Sequence, residues 1–341
     1  ANIVAPNCFN NNLPEHIVKN YMSYTTPGDC RDQFTPEQAK RMRIYLEQAP
    51  VLQAMQIKTS LPGATLGSTS GNIILNSGTY TISTPLSMLP NTSIWVKPGA
   101  TLRIQATITG ACGQMWQGII VEGDPTDIQQ DFAEQGRVIM FGAGKIEHAL
   151  CGIDVQKTNY INQPDGGGGG IIEIYGGNFA DNAVGIRFGP YTGLGVNKSR
   201  IVLANFTSTD NYRGEDVVPT FIKMKDVAKI PVSFSQFQDL RTSCTEPADQ
   251  TTGIDAQNSG LSVLSSHFED LRIGIRANML DENNGSFIAS GNDFSGCYRG
   301  VQTLSSSSFS IVTNNFTVRR PKECPALNVE IIGVKLEGNT S

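Results

Sequence analysis

Six segments of this chain can be laid on one another: IIEIYGGNFADNAVGIRF from Ile171, IVLANFTSTDN from Ile201, IPVSFSQFQDL from Ile230, LSVLSSHFEDLRIGIRA from Leu261, SFIASGNDFSGCYRGVQT from Ser286 and FSIVTNNFTVRR from Phe309. In each, an apolar run leads to a Phe, a polar turn follows, and most then reach Gly plus Ile or Val. The phenylalanines are Phe179, Phe206, Phe237, Phe268, Phe294 and Phe316, spaced 27, 31, 31, 26 and 22 residues apart. A unit of this length cannot bury an apolar face alone and must stack on its neighbours. The uneven spacing argues against a closed propeller of equal blades and for stacked coils with loops of variable length. A coil of three short strands needs little more than twenty residues, and stacking sets equivalent side chains about 4.8 Å apart. The expected fold is therefore mainly β, a right-handed parallel β-helix (solenoid) over residues 71–341, with the phenylalanines inward in one aromatic ladder.

Composition agrees. Gly at 35 residues, with many Ser, Thr and Asn and only 17% charged residues, suits short strands joined by turns. The net charge of -5 leaves no basic footprint for nucleic acid or anionic membrane. The longest apolar runs are too short to span a bilayer, so no membrane span is expected. Seven cysteines without a CxxC pair suit an exported protein with one or two disulfides. The expected location is secreted or cell-surface, and the expected state is a monomer.

Residues 35–49, TPEQAKRMRIYLEQA, read as a helix: Thr35 is the N-cap, Pro36 the first position, and Ala39, Met42 and Leu46 recur at helical spacing. A Gly, Ser and Thr-rich junction over 52–70 then separates residues 1–51 from the repeats.

Within the repeats, two outward columns carry charge. Asp181, Asp239 and Asp270 follow their Phe at equal distance and would align on one edge. Turn solvation explains such acids most simply, while Asp239 and Asp270 are the acids best placed to bind a substrate. Asp154, Arg187, Lys223, Asp255, Arg276, Gln302 and Lys335 follow the Gly-Ile step, and their mixed signs suggest ion pairs on a solvated face worth about 0 to 1 kcal/mol each. PDGGGGGI from Pro164 lacks the Lys-Ser/Thr and helix of a phosphate loop and reads as a flexible connection. His148 and His267 read as satisfied or exposed histidines, and Trp95 and Trp116 as caps on a core.

Two resemblances add to this reading. TSIWVKPGATLRIQ, followed by WQGIIVEGD, resembles the opening coils of β-helix proteins exported by Bacteroidetes-type bacteria. NYMSYTTPGDCRDQFTPEQAKRMR, residues 20–43, resembles the C-terminal end of the pappalysin and cytophagalysin branch of the metzincin zinc peptidases, where an N-x-M-x-Y Met-turn precedes a Cys and an F-T-P-x-Q-x-x-R-M-R helix. Asn20, Met22 and Tyr24 match the turn, Cys30 the cysteine, and Phe34 to Arg43 the helix. By that resemblance, Met22 is the apolar floor beneath the metal and Tyr24 approaches the metal or the oxyanion. Cys8 and Cys30, flanking the turn, are the expected disulfide. The metal itself needs H-E-x-x-H-x-x-G-x-x-H, whereas this chain has only His16, His148 and His267. No cofactor is expected in the chain, and zinc is expected in a full-length parent. Residues 1–51 then read as the terminal remnant of a peptidase domain, by truncation or as a pseudo-protease, with the β-helix incomplete at its C-terminus. The expected function is a non-catalytic fragment of a secreted zinc metallopeptidase whose β-helix is an adhesion or substrate-binding module for protein or polysaccharide. The alternative is a carbohydrate-active β-helix enzyme, a polysaccharide lyase or hydrolase.

Overall fold

The structure, a computed structural model, describes residues 35–48, 72–129, 132–155, 168–191, 197–214, 217–227, 229–242, 250–278, 286–304, 309–317, 319 and 331–337. Cys8, Met22, Tyr24, Cys30 and the 52–70 junction lie outside them. The chain divides into two compact units, residues 1–56 with 159–163, and residues 57–158 with 164–341.

In the first unit the helix is Pro36–Gln48. Thr35 Oγ1 accepts from the Gln38 amide at 3.2 Å, and Gln38 Oε1 accepts from the Thr35 amide at 2.9 Å. This reciprocal capping box satisfies donors that a helix start leaves without intrahelical partners. Met42, on the expected apolar stripe, is exposed.

The second unit is built from twenty-six strands among the described residues, in a ten-stranded and a sixteen-stranded sheet. The strand ladders are parallel. Parallel neighbours cannot be joined by a tight hairpin, so the chain must travel round before it pairs with itself again. It does so over three faces, an arrangement consistent with a parallel β-solenoid. The ten-stranded sheet is the first face. The sixteen-stranded sheet bends into the second and third, with Ile171–Ala180 and Arg200–Ser208 long enough to cross the bend.

Each face contributes an inward column. On the first it runs from Ile73 through Ile94, Ile119, Ile153, Ile186, Ile222, Ile254 and Ile275 to Val301, in register. β-Branched side chains suit a pleated surface buried on its inner side. On the third face the six phenylalanines stack as expected, with ring centroids 4.8, 4.9, 4.6, 4.8 and 5.0 Å apart. These distances match the strand spacing, so the backbone ladder sets the stacking and the rings follow it. The column begins three rungs earlier than its phenylalanines, with Leu86, Ile108 and Ile146.

The ladder explains the Gly-Ile step. A Cβ on Gly274 would stand 2.6 Å from the Gly300 carbonyl oxygen and 2.7 Å from the Phe294 ring, and Gly185 and Gly300 meet the same obstruction from Phe206 and Phe316. Each ring lies where a side chain of the first face would otherwise be. One rung departs from the rule: Phe221 replaces the glycine and tilts by 41° and 38° to Phe206 and Phe237.

The bend between the second and third faces uses left-handed backbone at Leu203, Phe234, Ser265, Gly291 and Thr313. Turning there takes the next amide out of the backbone ladder, and a side chain from the following rung replaces the lost acceptor. Ser235 Oγ accepts from the Ala204 amide, Ser266 Oγ from Ser235, Asn292 Oδ1 from Ser266 and Asn314 Oδ1 from Asn292, at 2.9 to 3.2 Å. A column of small polar residues thereby supplies acceptors to the amides at the corner.

The glycine run departs from expectation. Gly168, Gly169 and Gly170 are buried, and a Cβ on any of them would collide with the backbone of Pro190, Asp124 or Val121. Gly169 has φ of +85°, which only glycine adopts at low cost. These three residues pack closely against backbone at Pro190, Asp124 and Val121 rather than forming a flexible link, and Gln129 Nε2 donates to the Gly169 carbonyl at 2.9 Å.

Candidate functional site

Alternation on the third face sends one residue inward and its two neighbours out. The outward positions form two columns. The first holds Lys145, Asn178, Asn205, Gln236, His267, Asp293 and Asn315; the second holds Glu147, Ala180, Thr207, Gln238, Glu269, Ser295 and Thr317. Amide and hydroxyl groups dominate, and they are joined along the axis. Asn205 Nδ2 donates to Asn178 Oδ1 at 3.1 Å, Gln238 Nε2 to Glu269 Oε2 at 2.8 Å and Asn315 Nδ2 to Asp293 Oδ1 at 3.0 Å. His267 Nδ1 lies 3.0 Å from Asp293 Oδ2, a partly exposed and partnered histidine.

The two acids expected to bind substrate sit at the edge of this face. Ser208 pairs with Asp239, and Asp270 follows one rung on. Asp239 is 2% exposed. Its carboxylate accepts from Arg241 Nε and Nη2 at 3.0 and 2.6 Å, and from the Thr251 amide and hydroxyl at 3.2 and 2.8 Å. It ties down both ends of the 240–251 excursion. Asp270 has left-handed backbone, φ 55°, and its Oδ1 stands 2.9 Å from Arg319 Nη1. Asp181, also left-handed, accepts from the Thr209 amide and hydroxyl at 2.6 and 2.9 Å.

The charged column of the first face is in register from Asp154 to Lys335, as the repeats implied. Arg187 Nη1 reaches Asp154 Oδ2 at 3.2 Å, and Arg276 clasps Asp255 at 2.9 and 2.6 Å. The face is less solvated than expected. Asp154, Asp255 and Gln302 are buried while Lys223 is exposed, because short side chains lie low between long ones on rungs about 4.8 Å apart. Trp116 is fully buried and donates Nε1 to the Glu147 carbonyl at 3.0 Å; Trp95 is half-buried, with Lys97 Nζ 4.8 Å above its ring.

A concavity among the described residues opens on the third face. It is a groove of 620 Å³ lined by Lys145, Glu147, His148, Asn178, Asp181, Thr207, Thr209, Asn211 and Arg213. The floor comes from strands. One wall comes from the excursion after Ser208, whose Arg213 reaches back to donate Nη1 to the Gly110 carbonyl at 3.1 Å. Lys145 and Glu147 form an ion pair at the other side.

His148 is one of its lining residues. It is 7% exposed and takes left-handed backbone, φ 55°. Its Nδ1 is 3.1 Å from Thr109 Oγ1, and its Nε2 is buried without a partner among the described residues. Burial holds the imidazole pKa below its ordinary value, and the nearby Arg213 charge lowers it further, so the ring is neutral at pH 7. Expected as a satisfied or exposed histidine, it is buried and satisfied at one nitrogen only. His148 and Arg213 were the residues missed. IEHALCGI aligns with FADNAVGI, so His148 occupies the place of Asp181 one coil earlier, behind Ile146 instead of Phe. That alignment was the available signal for His148. For Arg213, inside an irregular excursion, there was none.

No metal-ligand group of three or more His, Cys, Asp or Glu occurs among the described residues. Comparison with family profiles, curated proteins and solved structures returns no significant match.

Proposed function

We propose that residues 71–341 form a right-handed parallel β-helix serving an exported, cell-surface or secreted, metzincin-type peptidase as its accessory module, holding a polysaccharide or protein substrate along the third face. Right-handedness follows from the strong preference of crossovers between parallel strands. The peptidase part rests on the resemblance of residues 20–43, and zinc chemistry would belong to residues outside this chain. A monomer suffices for the role, since the face is continuous within one chain.

One observation carries the binding reading. The outward columns of the third face present amides and hydroxyls at a fixed strand spacing over seven rungs. Such a surface offers repeated donors and acceptors to a repeating, hydroxyl-bearing chain, and Asp239 and Asp270 at its edge help to hold the surface in shape through their arginine partners. Binding to immobilised polysaccharides, measured by retardation in affinity electrophoresis, tests it. Retardation that Gln236→Ala with Gln238→Ala weakens is expected; retention of full affinity in that double variant overturns the placement.

The enzyme reading has one observation of its own, the presence of Glu147, His148 and Asp181 in a single groove. Release of new reducing ends or unsaturated products from any retarded polysaccharide would favour it over binding alone.

A further inference from the structure

We propose that the groove at Glu147, His148, Asp181 and Arg213 is a discrete subsite for a neutral, hydroxyl-rich sugar unit. This rests on the reading of the third face as a glycan-binding surface and specifies where on it, and for which class of glycan, recognition occurs.

Three features of the groove lead there. Its volume of 620 Å³ is large enough for a sugar unit in an open groove. Its lining is polar throughout its side chains except Ala180, with two hydroxyls and two amides able both to donate and to accept. Its formal charges cancel, Lys145 and Arg213 against Glu147 and Asp181, while the histidine is neutral. An anionic ligand such as a uronate or a phosphate would meet two carboxylates on entering. A cationic one would meet Lys145 and Arg213. A neutral polyol meets neither penalty and can satisfy groups of both kinds.

The fourth feature is independent of this inventory. The fold leaves an imidazole nitrogen, His148 Nε2, buried without a partner among the described residues, on a side chain that lines the groove. Buried polar atoms in native folds are mostly paired, and among the unpaired atoms of the described residues His148 Nε2 is the one that belongs to a histidine lining the groove. A sugar hydroxyl seated beside the ring reaches this nitrogen once the imidazole turns toward the groove, donating to a bare nitrogen or accepting from an N–H according to tautomer. The groove's walls are fixed by bonds of their own: Thr109 bonds His148 Nδ1, Arg213 donates to the Gly110 carbonyl, and the Thr209 contacts fix Asp181.

The test uses imidazole nitrogen and proton resonances of the whole chain, with His148→Gln identifying the His148 signal. His267, on the same face but four rungs away, is an internal reference for binding elsewhere along it. Titration uses neutral oligosaccharides (gluco-, xylo- and manno-oligosaccharides) and, in parallel, oligogalacturonates. A neutral oligosaccharide is expected to shift the His148 signal, and Arg213→Gln and Thr207→Val are each expected to weaken its binding about tenfold, the effect of losing one good hydrogen bond. A shift confined to His267 would overturn the subsite and leave the face reading standing. Tighter binding of oligogalacturonate at His148 would overturn the neutral class. Absence of any shift or binding across both panels would overturn the subsite together with the face reading.

Discussion

Replacing Phe268 by Ala tests whether the aromatic ladder is a principal source of stability in the coils. Phe268 is 0% exposed, with rings 4.6 Å away on one side and 4.8 Å on the other, and its own ring packs on Gly253. Removing a buried phenylalanine from a rigid core costs about 3 to 5 kcal/mol in lost transfer energy and cavity. Two stacking contacts of about 0.5 to 1.5 kcal/mol each are lost as well. Relaxation is limited, because the rungs above and below are fixed by backbone ladders, so the upper part of the range is expected. In a domain of this size each kcal/mol moves the midpoint by about 2 to 4 °C, which for about 4 to 5 kcal/mol places the shift at roughly 8 to 20 °C. Phe316 is the control. It has one stacked neighbour and is half-buried, so Phe316→Ala should cost less than half as much. Urea unfolding followed by far-UV circular dichroism, with comparison of slopes as well as midpoints, gives both values. If Phe268→Ala loses under about 1 kcal/mol, or no more than Phe316→Ala, the ladder is decoration on a fold held by other contacts.

Gly274→Ala should destabilise by about 1 to 3 kcal/mol, since its Cβ meets the Phe294 ring and the Gly300 carbonyl, and pairing it with Phe294→Leu should recover part of the loss in the same unfolding assay. Asp255→Asn should cost about 1 to 3 kcal/mol, more than an exposed pair, because the carboxylate is buried against Arg276; a cost under 0.5 kcal/mol, by the order of magnitude usual for surface sites, would place the pair in solvent after all. His148 gives a pH dependence of known sign. Its folded pKa lies below the ordinary 6.5 of the unfolded chain, so the unfolded state binds the extra proton and stability falls as pH drops from about 6.5 through the folded value. Thermal midpoints measured between pH 7.5 and 5 should show that fall, and His148→Gln should flatten it. Among the described cysteines, Cys112 is exposed while Cys151 and Cys297 are buried, and burial pushes the Cys297 pKa up to about 12; native alkylation followed by mass spectrometry should modify Cys112 and leave Cys151 and Cys297 until the chain is unfolded.

Where the fold was legible, it was because one side-chain type recurs at one phase. A parallel rung aligns equivalent residues within about 5 Å, so a column must be chemically consistent, and that consistency shows in the letters. The phenylalanine ladder and the charged column from Asp154 to Lys335 were readable for this reason. The ladder's first three rungs were not, since Leu86, Ile108 and Ile146 fill the same space with ordinary core residues. Nor was the polar corner at Ser235, Ser266, Asn292 and Asn314, because small polar residues after a bend look like any turn.

The letters alone therefore determined the existence of coils, their phase and their inner aromatic column, along with the helix at Thr35. Only the three-dimensional arrangement decided what the exterior does. Whether Asp239 faces solvent or anchors Arg241 and Thr251 depends on where an excursion of variable length returns. Arg213 meets Gly110, 103 residues away, across several rungs, and no local pattern encodes such a contact. The same packing buries His148 and leaves Nε2 without a partner among the described residues. Repetition makes the interior of a solenoid a one-dimensional problem; its excursions break the repetition, and the groove lies where one of them folds back.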